Sequence, residues 1–409
     1  MEEFKITRLG LSGDGIAQTE GGDIYLPLTL PGERVAADIT NGKPVGRVRI
    51  LEPVAERVSA PCTHFGRCGG CALQHASDSL VADWKEDAVR RALAAHGIEA
   101  PFRPQAISPP GSRRRATFSG RRTKKAAQIG FHARGDALIV EVPDCAVITP
   151  GLRAVLPALE ALVMTGGSRK GEVKFTVTDT DEGPDVSVTE AKPVEGQMLA
   201  ELVALAHRFG LSRLTWNGDV LATLRPPALR LGAASVVPPP GAFLQATAEG
   251  QEALTAAALE AVADAGRVLD LFSGVGTFTL PLAKRAEVHA VESDATMLTA
   301  LDTAWRATPG LKRVTTEARD LFRRPLLAGE FKGWDAAVID PPRAGAQAQM
   351  GPLAEAGPAR LAMISCNPVT FARDMAMLRG AGYRLDWVQV VDQFRWSPHV
   401  EIASALVRE

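Results

Sequence analysis

From about residue 245 onward the chain alternates short apolar runs with amphipathic stretches, and this rhythm constrains the fold more than any other feature. Runs at 267–272, 287–292, 313–316, 335–340, 361–365, 384–393 and 401–408 read as strands, with helical spacing between them. Alternation of this kind builds an α/β fold with a doubly wound sheet, whose ligands lie beyond the carboxyl ends of the strands. Upstream the pattern changes. Residues 1–55 read as short strands at 6–9, 23–27, 34–39 and 45–51, broken at Gly13-Asp14-Gly15, Gly21-Gly22, Pro31-Gly32 and Asn41-Gly42, which predicts a small β-barrel. A cysteine-rich loop follows at 56–75, then a helix over 78–96 with Leu80, Val81, Trp84, Ala88, Ala92 and Ala95 on one face. Strands mix with helices at 152–164 and 197–209 before the run Pro238-Pro239-Pro240-Gly241. For 409 residues this implies three domains, at 1–55, 56–240 and 241–409, with the 78–96 helix free to pack on the last.

Within the alternating region three strand ends carry chemistry. The turn Leu269-Asp270-Leu271-Phe272-Ser273-Gly274-Val275-Gly276 brings a glycine pair to the start of a helix, where free N–H groups meet a ligand. Glu292 ends the next strand, at the distance where an acid meets ribose hydroxyls. The third glycine of a dinucleotide fingerprint is replaced by Thr279, which points to an adenosyl cofactor such as S-adenosylmethionine. A second strand ends in Asp340-Pro341-Pro342-Arg343, and a third in Ser365-Cys366-Asn367-Pro368. A thiol at a strand end, followed by residues that stop the strand, is aimed into a cleft. Thiolate addition to C6 of a uracil makes C5 nucleophilic, so that C5 can take a methyl group; a base must then remove the C5 proton. Glu401 is the candidate base and His399, two residues away on an extended segment, the runner-up. Asp-Pro-Pro also occurs in enzymes that methylate exocyclic amines, usually with an aromatic residue where Arg343 stands, and an amine acceptor needs no cysteine.

Lys+Arg and Asp+Glu nearly cancel, leaving a formal charge of −1, so contact with nucleic acid requires a local basic patch. Arg113, Arg114, Arg115, Arg121, Arg122, Lys124 and Lys125, with Phe118 among them, form the best strip for phosphates. No apolar run approaches the roughly 20 residues of a membrane span. Met1-Glu2-Glu3-Phe4-Lys5 lacks the apolar core of a signal peptide, which predicts a cytoplasmic protein. Of the five cysteines, Cys62, Cys68 and Cys71 cluster and Cys145 is remote, which favours an iron–sulfur layout over the paired spacing of zinc sites.

Taken together, these residues resemble the RNA uracil-C5 methyltransferases that depend on S-adenosylmethionine, over nearly the whole chain. Residues 1–55 resemble the family's TRAM domain, an OB-like RNA-binding barrel. The segment from Cys62 to Cys71, with Gln74-His75 and with Cys145 as fourth ligand, is similar to its [4Fe-4S] loop. Gln245, in Phe243-Leu244-Gln245, matches a cofactor-contacting position, as do Phe272, Gly274 in its turn, Glu292, Asp320 and Asp340. Cys366, with Phe371-Ala372-Arg373-Asp374 downstream, matches the nucleophile motif, and His399-Val400-Glu401 the motif that carries the base. The resemblance implies a class I methyltransferase sheet and methylation of a uridine in RNA, 23S rRNA before tRNA, by a protein expected to act as a monomer. An RNA-binding assembly factor with weak or no methyl transfer is the rival of another class. Departures fall at Thr247 and Thr277, where the family often has Asn, and at Arg395-Trp396-Ser397, where it has Pro-His-Thr after Phe394.

Overall fold

The computed structural model describes residues 1–408. Its largest sheet has eight strands, in the order Val314–Ala318, Glu287–Glu292, Arg267–Leu271, Ala336–Ile339, Arg360–Ser365, Ile402–Arg408, Tyr383–Asp392 and Ala106–Ile107. The first five are mutually parallel, and Ile402–Arg408 runs antiparallel to both of its neighbours. Strand Ala336–Ile339 is buried along its whole length and Arg360–Ser365 after its first residue, as expected of strands covered on both faces. Successive side chains divide between two cores. Leu269, Ile339, Leu361 and Met363 pack with Val89 and Leu93 of helix Asp78–Ala94 and with Phe371 of helix Pro368–Arg379. Val268, Val338, Ala362 and Ile364 pack with Leu254 and Ala258 of helix Ala248–Ala261. Truncating a leucine such as Leu361 in either layer would remove about 2–5 kcal/mol. Helix Asp78–Ala94 therefore belongs to the core of the C-terminal sheet, and Ala106–Ile107 supplies its last strand.

A second, seven-stranded sheet runs Ile139–Glu141, Ala127–His132, Arg115–Arg122, Glu172–Thr180, Gly183–Thr189, Arg213–Trp216 and Asp219–Thr223. Helices Leu156–Gly166 and Met198–Arg208 share its core, which includes Phe118, Leu159, Phe175 and Trp216. The Pro238–Gly241 run is tied down: Arg213 Nη2 donates to Pro238 O at 2.9 Å and Arg115 Nη2 to Gly241 O at 3.1 Å.

Residues 2–52 form two three-stranded antiparallel sheets, one of Glu2–Lys5, Arg34–Thr40 and Lys43–Glu52, the other of Arg8–Leu9, Gly15–Thr19 and Gly22–Leu26. The segment after the first strand links them: Ile6 N donates to Glu33 O and Thr7 N to Ile16 O. Strand Gly15–Thr19 starts within the run Gly13-Asp14-Gly15, which has the composition of a turn. Gly15 serves close approach, since a Cβ there would lie 2.1 Å from Thr29 Oγ1. Among the described residues no helix is long and apolar enough to cross a membrane.

Candidate active site

The cleft opens where strand order reverses, at the carboxyl ends of Arg267–Leu271 and its neighbours. It encloses about 630 Å³. Beneath it the glycine turn folds back on the next strand: Phe272 N and Ser273 N both donate to Val291 O, with Phe272 in the left-handed region at φ 65°. Gly276, at φ 93°, is required by packing, because a Cβ would stand 2.9 Å from Leu301 Cγ. Gly274, at φ 54°, faces space, its nearest neighbour being Met297 Sδ at 4.0 Å, so a ligand can lie against its backbone. Glu292 Oε2 accepts from Gly274 N at 3.1 Å and Oε1 from Ser293 N at 2.7 Å. Asp320 Oδ1 accepts from Phe322 N at 2.9 Å, and the Phe322 ring sits 5.5 Å from that of Phe272. The wall thus offers two aromatic faces and two carboxylates. Asp270, wholly buried under the turn, accepts from Thr279 Oγ1 at 2.5 Å, and burial pushes it up to about 7.

All eight residues expected to bind cofactor or do chemistry line this one cleft: Gln245, Phe272, Gly274, Glu292, Asp320, Asp340, Cys366 and Glu401. Cys366 follows strand Arg360–Ser365, and Asn367 stops that strand by capping helix Pro368–Arg379, its Oδ1 accepting from Val369 N at 3.1 Å. The thiol is half-buried, and burial pushes it up to about 11, helped by Glu401 and Asp340. Burial likewise raises Glu401 to about 7 and Asp340 well above the carboxylate range. His399 also lines the cleft, its imidazole pushed down by burial and nearby arginines. Cys366, Arg343 and His399 form the wall of a second cavity too, of about 590 Å³, bounded by Arg8–Leu11 and by Trp84, Ala88, Arg91 and Ala92. Cys366 therefore lines both cavities.

Two residues that sequence reasoning missed hold this site together. Gln393 Nε2 donates to Gln245 Oε1 at 2.6 Å and to Glu401 Oε2 at 3.0 Å. Lys85 Nζ, fully buried, meets Asp392 Oδ1 at 2.7 Å and Phe394 O at 3.2 Å, clamping the loop before Glu401 to helix Asp78–Ala94. A lysine on an otherwise apolar helix face was the available signal for the second; nothing in the pattern marked the first. Of the departures from the family pattern, Thr247, Arg395 and Trp396 have structural roles. Trp396 O accepts from Ala72 N and Leu73 N with Trp396 at φ 60°, Arg395 meets Asp78, and Thr247 caps helix Ala248–Ala261.

The basic strip needs correction. Arg114 donates to Gln251 Oε1 at 2.7 Å, Arg113 to Arg115 O at 3.0 Å, and Arg121 pairs with Glu172, while Phe118 is fully buried. Arg114 and Arg115 fasten the seven-stranded sheet to the C-terminal domain, because the start of strand Arg115–Arg122 abuts the Gly241–Ala246 segment there. Lys124 and Lys125, in the hairpin tip, are exposed.

Cys62, Cys68, Cys71 and Cys145, all free thiols, line one cavity of about 260 Å³. Thr63 Oγ1 donates to Asp144 Oδ2 at 3.0 Å and His64 meets the same carboxylate, which brings the loop to the segment carrying Cys145. Burial pushes the Cys71 thiol up to about 12 and raises Cys68, with mutual repulsion among the four adding to both. Among the described residues no three or more His, Cys, Asp or Glu side chains stand close enough to hold a single metal ion. The four cysteines thus share one cavity without forming the tetrahedral single-ion site that zinc would need.

Comparison with known proteins agrees with this architecture. The family model described as tRNA (Uracil-5-)-methyltransferase matches residues 239–409. An RNA methyltransferase of Rhizobium meliloti is 42% identical over 98% of both chains. A 23S rRNA (uracil(1939)-C(5))-methyltransferase of Alkalilimnicola ehrlichii is 32% identical, covering 100% of this chain and 97% of its own. Among solved structures, the Pyrococcus abyssi tRNA (uracil-54, C5)-methyltransferase in complex with S-adenosyl-L-homocysteine superposes with a TM-score of 0.78 over 99% of both chains, at 23% identity, and so shares the fold. With full-length relatives at this identity and a sheet of this order, the chain belongs to the tRNA/rRNA uracil-5-methyltransferase family and is an RNA methyltransferase.

Proposed function

We propose that the enzyme methylates C5 of a uridine in RNA with S-adenosylmethionine, using Cys366 as nucleophile and Glu401 as base. The observation that carries this reading is the convergence of Cys366, Asp340, Glu401 and Gln245 on the cleft that the glycine turn floors. The open backbone at Gly274, the Phe272 and Phe322 rings and the acids Glu292 and Asp320 suit an adenosyl group. When bound, S-adenosylmethionine supplies a methyl group on a positively charged sulfur. Cys366 Sγ bonds to C6 of the uracil, and the electron pair of the C5–C6 double bond moves toward C5, the carbon that is methylated. Glu401 then takes the C5 proton, the C5–C6 double bond re-forms, and the bond to Sγ breaks with its electron pair returning to sulfur. A target base must leave its stack to reach Cys366, and the second cavity gives it a route from the N-terminal sheets.

The two N-terminal sheets, joined through the Ile6–Thr7 segment, support a TRAM-like RNA-binding unit. The four cysteines on one cavity support a [4Fe-4S] cluster held by Cys62, Cys68, Cys71 and Cys145; its chemistry there would be structural, fixing the loop that anchors Trp396. The full-length likeness to a relative named for 23S rRNA favours a ribosomal target over tRNA.

Cys366→Ala is expected to abolish turnover and leave RNA binding within a few-fold. Glu401→Gln is expected to accumulate a covalent RNA–protein adduct on denaturing gels. Persistent turnover by Glu401→Gln without adduct would remove Glu401 from the role. Mapping 5-methyluridine in RNA from cells with and without the protein identifies the target, and loss of the mark in tRNA alone would overturn the ribosomal assignment.

A further inference from the structure

Gln393 follows the last residue of strand Tyr383–Asp392 and is 2% exposed. Its carboxamide has no freedom to flip. The backbone N–H of Ala246 donates to Oε1 at 2.8 Å, so the opposite end must be the NH₂ group. Both hydrogens of that group are used, one on Gln245 Oε1 at 2.6 Å and one on Glu401 Oε2 at 3.0 Å. Each neighbour is oriented in consequence. Gln245 has its carbonyl occupied and keeps its NH₂ as the free end. Glu401 has Oε2 held, and Oε1 is the oxygen left to receive a proton. The buried contacts leave Gln393 without access to substrate, so any influence it has must act through Glu401 and Gln245.

We propose that Gln393 is a positioning residue for the methyl-transfer reaction: it locks the proposed base Glu401 to the cofactor-side Gln245, directs Oε1 at the substrate and favours the charged carboxylate. The inference rests on the assignment of Glu401 as base. The physical reason is that a donor on a buried carboxylate stabilises the ionised form against desolvation. The same contact opposes the burial that raises Glu401 toward 7. Without it the carboxyl holds its proton to higher pH, and proton removal from C5, after the methyl group has moved, becomes the slow step.

The test uses the full-length enzyme with its RNA substrate and measures single-turnover rate against pH. Gln393→Met keeps the shape and removes both donors; Gln393→Asn stays polar but is too short to reach both partners. Both are expected to move the acidic limb of the profile upward by about one pH unit, a roughly ten-fold slower rate at pH 6.5 that recovers at pH 9. Covalent adduct should accumulate at the lower pH. A rate reduced by the same factor at every pH, or an unmoved limb with no adduct, would overturn the proposal and leave Gln393 a packing residue. The reading it rests on fails separately, because that failure appears in Glu401→Gln itself.

Discussion

A nucleophile that begins as a neutral thiol has to be charged by its surroundings. With Cys366 pushed up to about 11, only about one molecule in ten thousand carries thiolate at pH 7. Burial is the main cause, and Glu401 and Asp340 oppose the negative charge, while Arg343 favours it. A positive sulfur in the same cleft would reverse the local balance, since a unit charge a few ångströms away in a buried site is worth several kcal/mol. S-adenosylmethionine and S-adenosylhomocysteine differ by one methyl group and that charge, so they shield the thiol alike. Alkylation of Cys366 by iodoacetamide at pH 7.5, read by peptide mass spectrometry, is therefore expected to be about ten-fold faster with the sulfonium form bound than with the neutral form. Equal rates would mean that the thiol is activated by RNA instead.

At the scale of elements, the hairpin of Arg115–Arg122 and Ala127–His132 shows where sequence reasoning reached its limit. A run of cations is legible in one dimension, but the direction of each side chain is set by what the strand lies against. Arg114 points at Gln251 of a helix 137 residues away, which no local pattern discloses. Lys124 and Lys125, at the tip, remain in water. Replacing both lysines by serine should lower the slope of log affinity against log salt by about 1.4, or roughly 0.7 per single-strand phosphate contact. Arg114→Gln should leave the slope alone and lower the melting temperature, because a buried donor set is lost. A reduced slope with Arg114→Gln would restore the strip as a phosphate contact. By contrast, the βα rhythm placed all seven strands of the C-terminal domain read from the sequence to within a few residues, because the central ones, such as Ala336–Ile339 and Arg360–Ser365, are buried on both faces and leave continuous apolar runs. Cys366, Glu292 and Asp340 were legible because strand ends announce themselves. Gln393 and Lys85 were not, since their meaning lies in partners such as Gln245 and Asp392 that only the closed sheet brings near.

The molecule as a whole is nearly neutral, yet it gathers three acids in one buried place. Asp270 and Asp340 lie at the carboxyl ends of parallel strands and Glu401 at the start of the antiparallel strand Ile402–Arg408, two raised to about 7 and Asp340 well above its ordinary range. In the unfolded chain these groups titrate near 4. Between those limits the folded protein binds more protons than the unfolded chain, so stability falls as pH rises. Each contribution is complete below about 4 and lost as pH passes the folded value. The arrangement suits a site that binds a cation: an acidic cleft trades fold stability near neutral pH for attraction toward positive charge. For Glu401 alone the difference from its usual 4.5 to about 7 amounts to about 3 kcal/mol. Urea denaturation of the ligand-free protein at pH 5 and pH 8 should therefore show a clear loss at the higher pH. Glu401→Gln, which cannot ionise, should lose less over the same interval, by up to that amount. If the two proteins lose stability in parallel, Glu401 titrates at an ordinary value and the cleft is wetter than its packing implies.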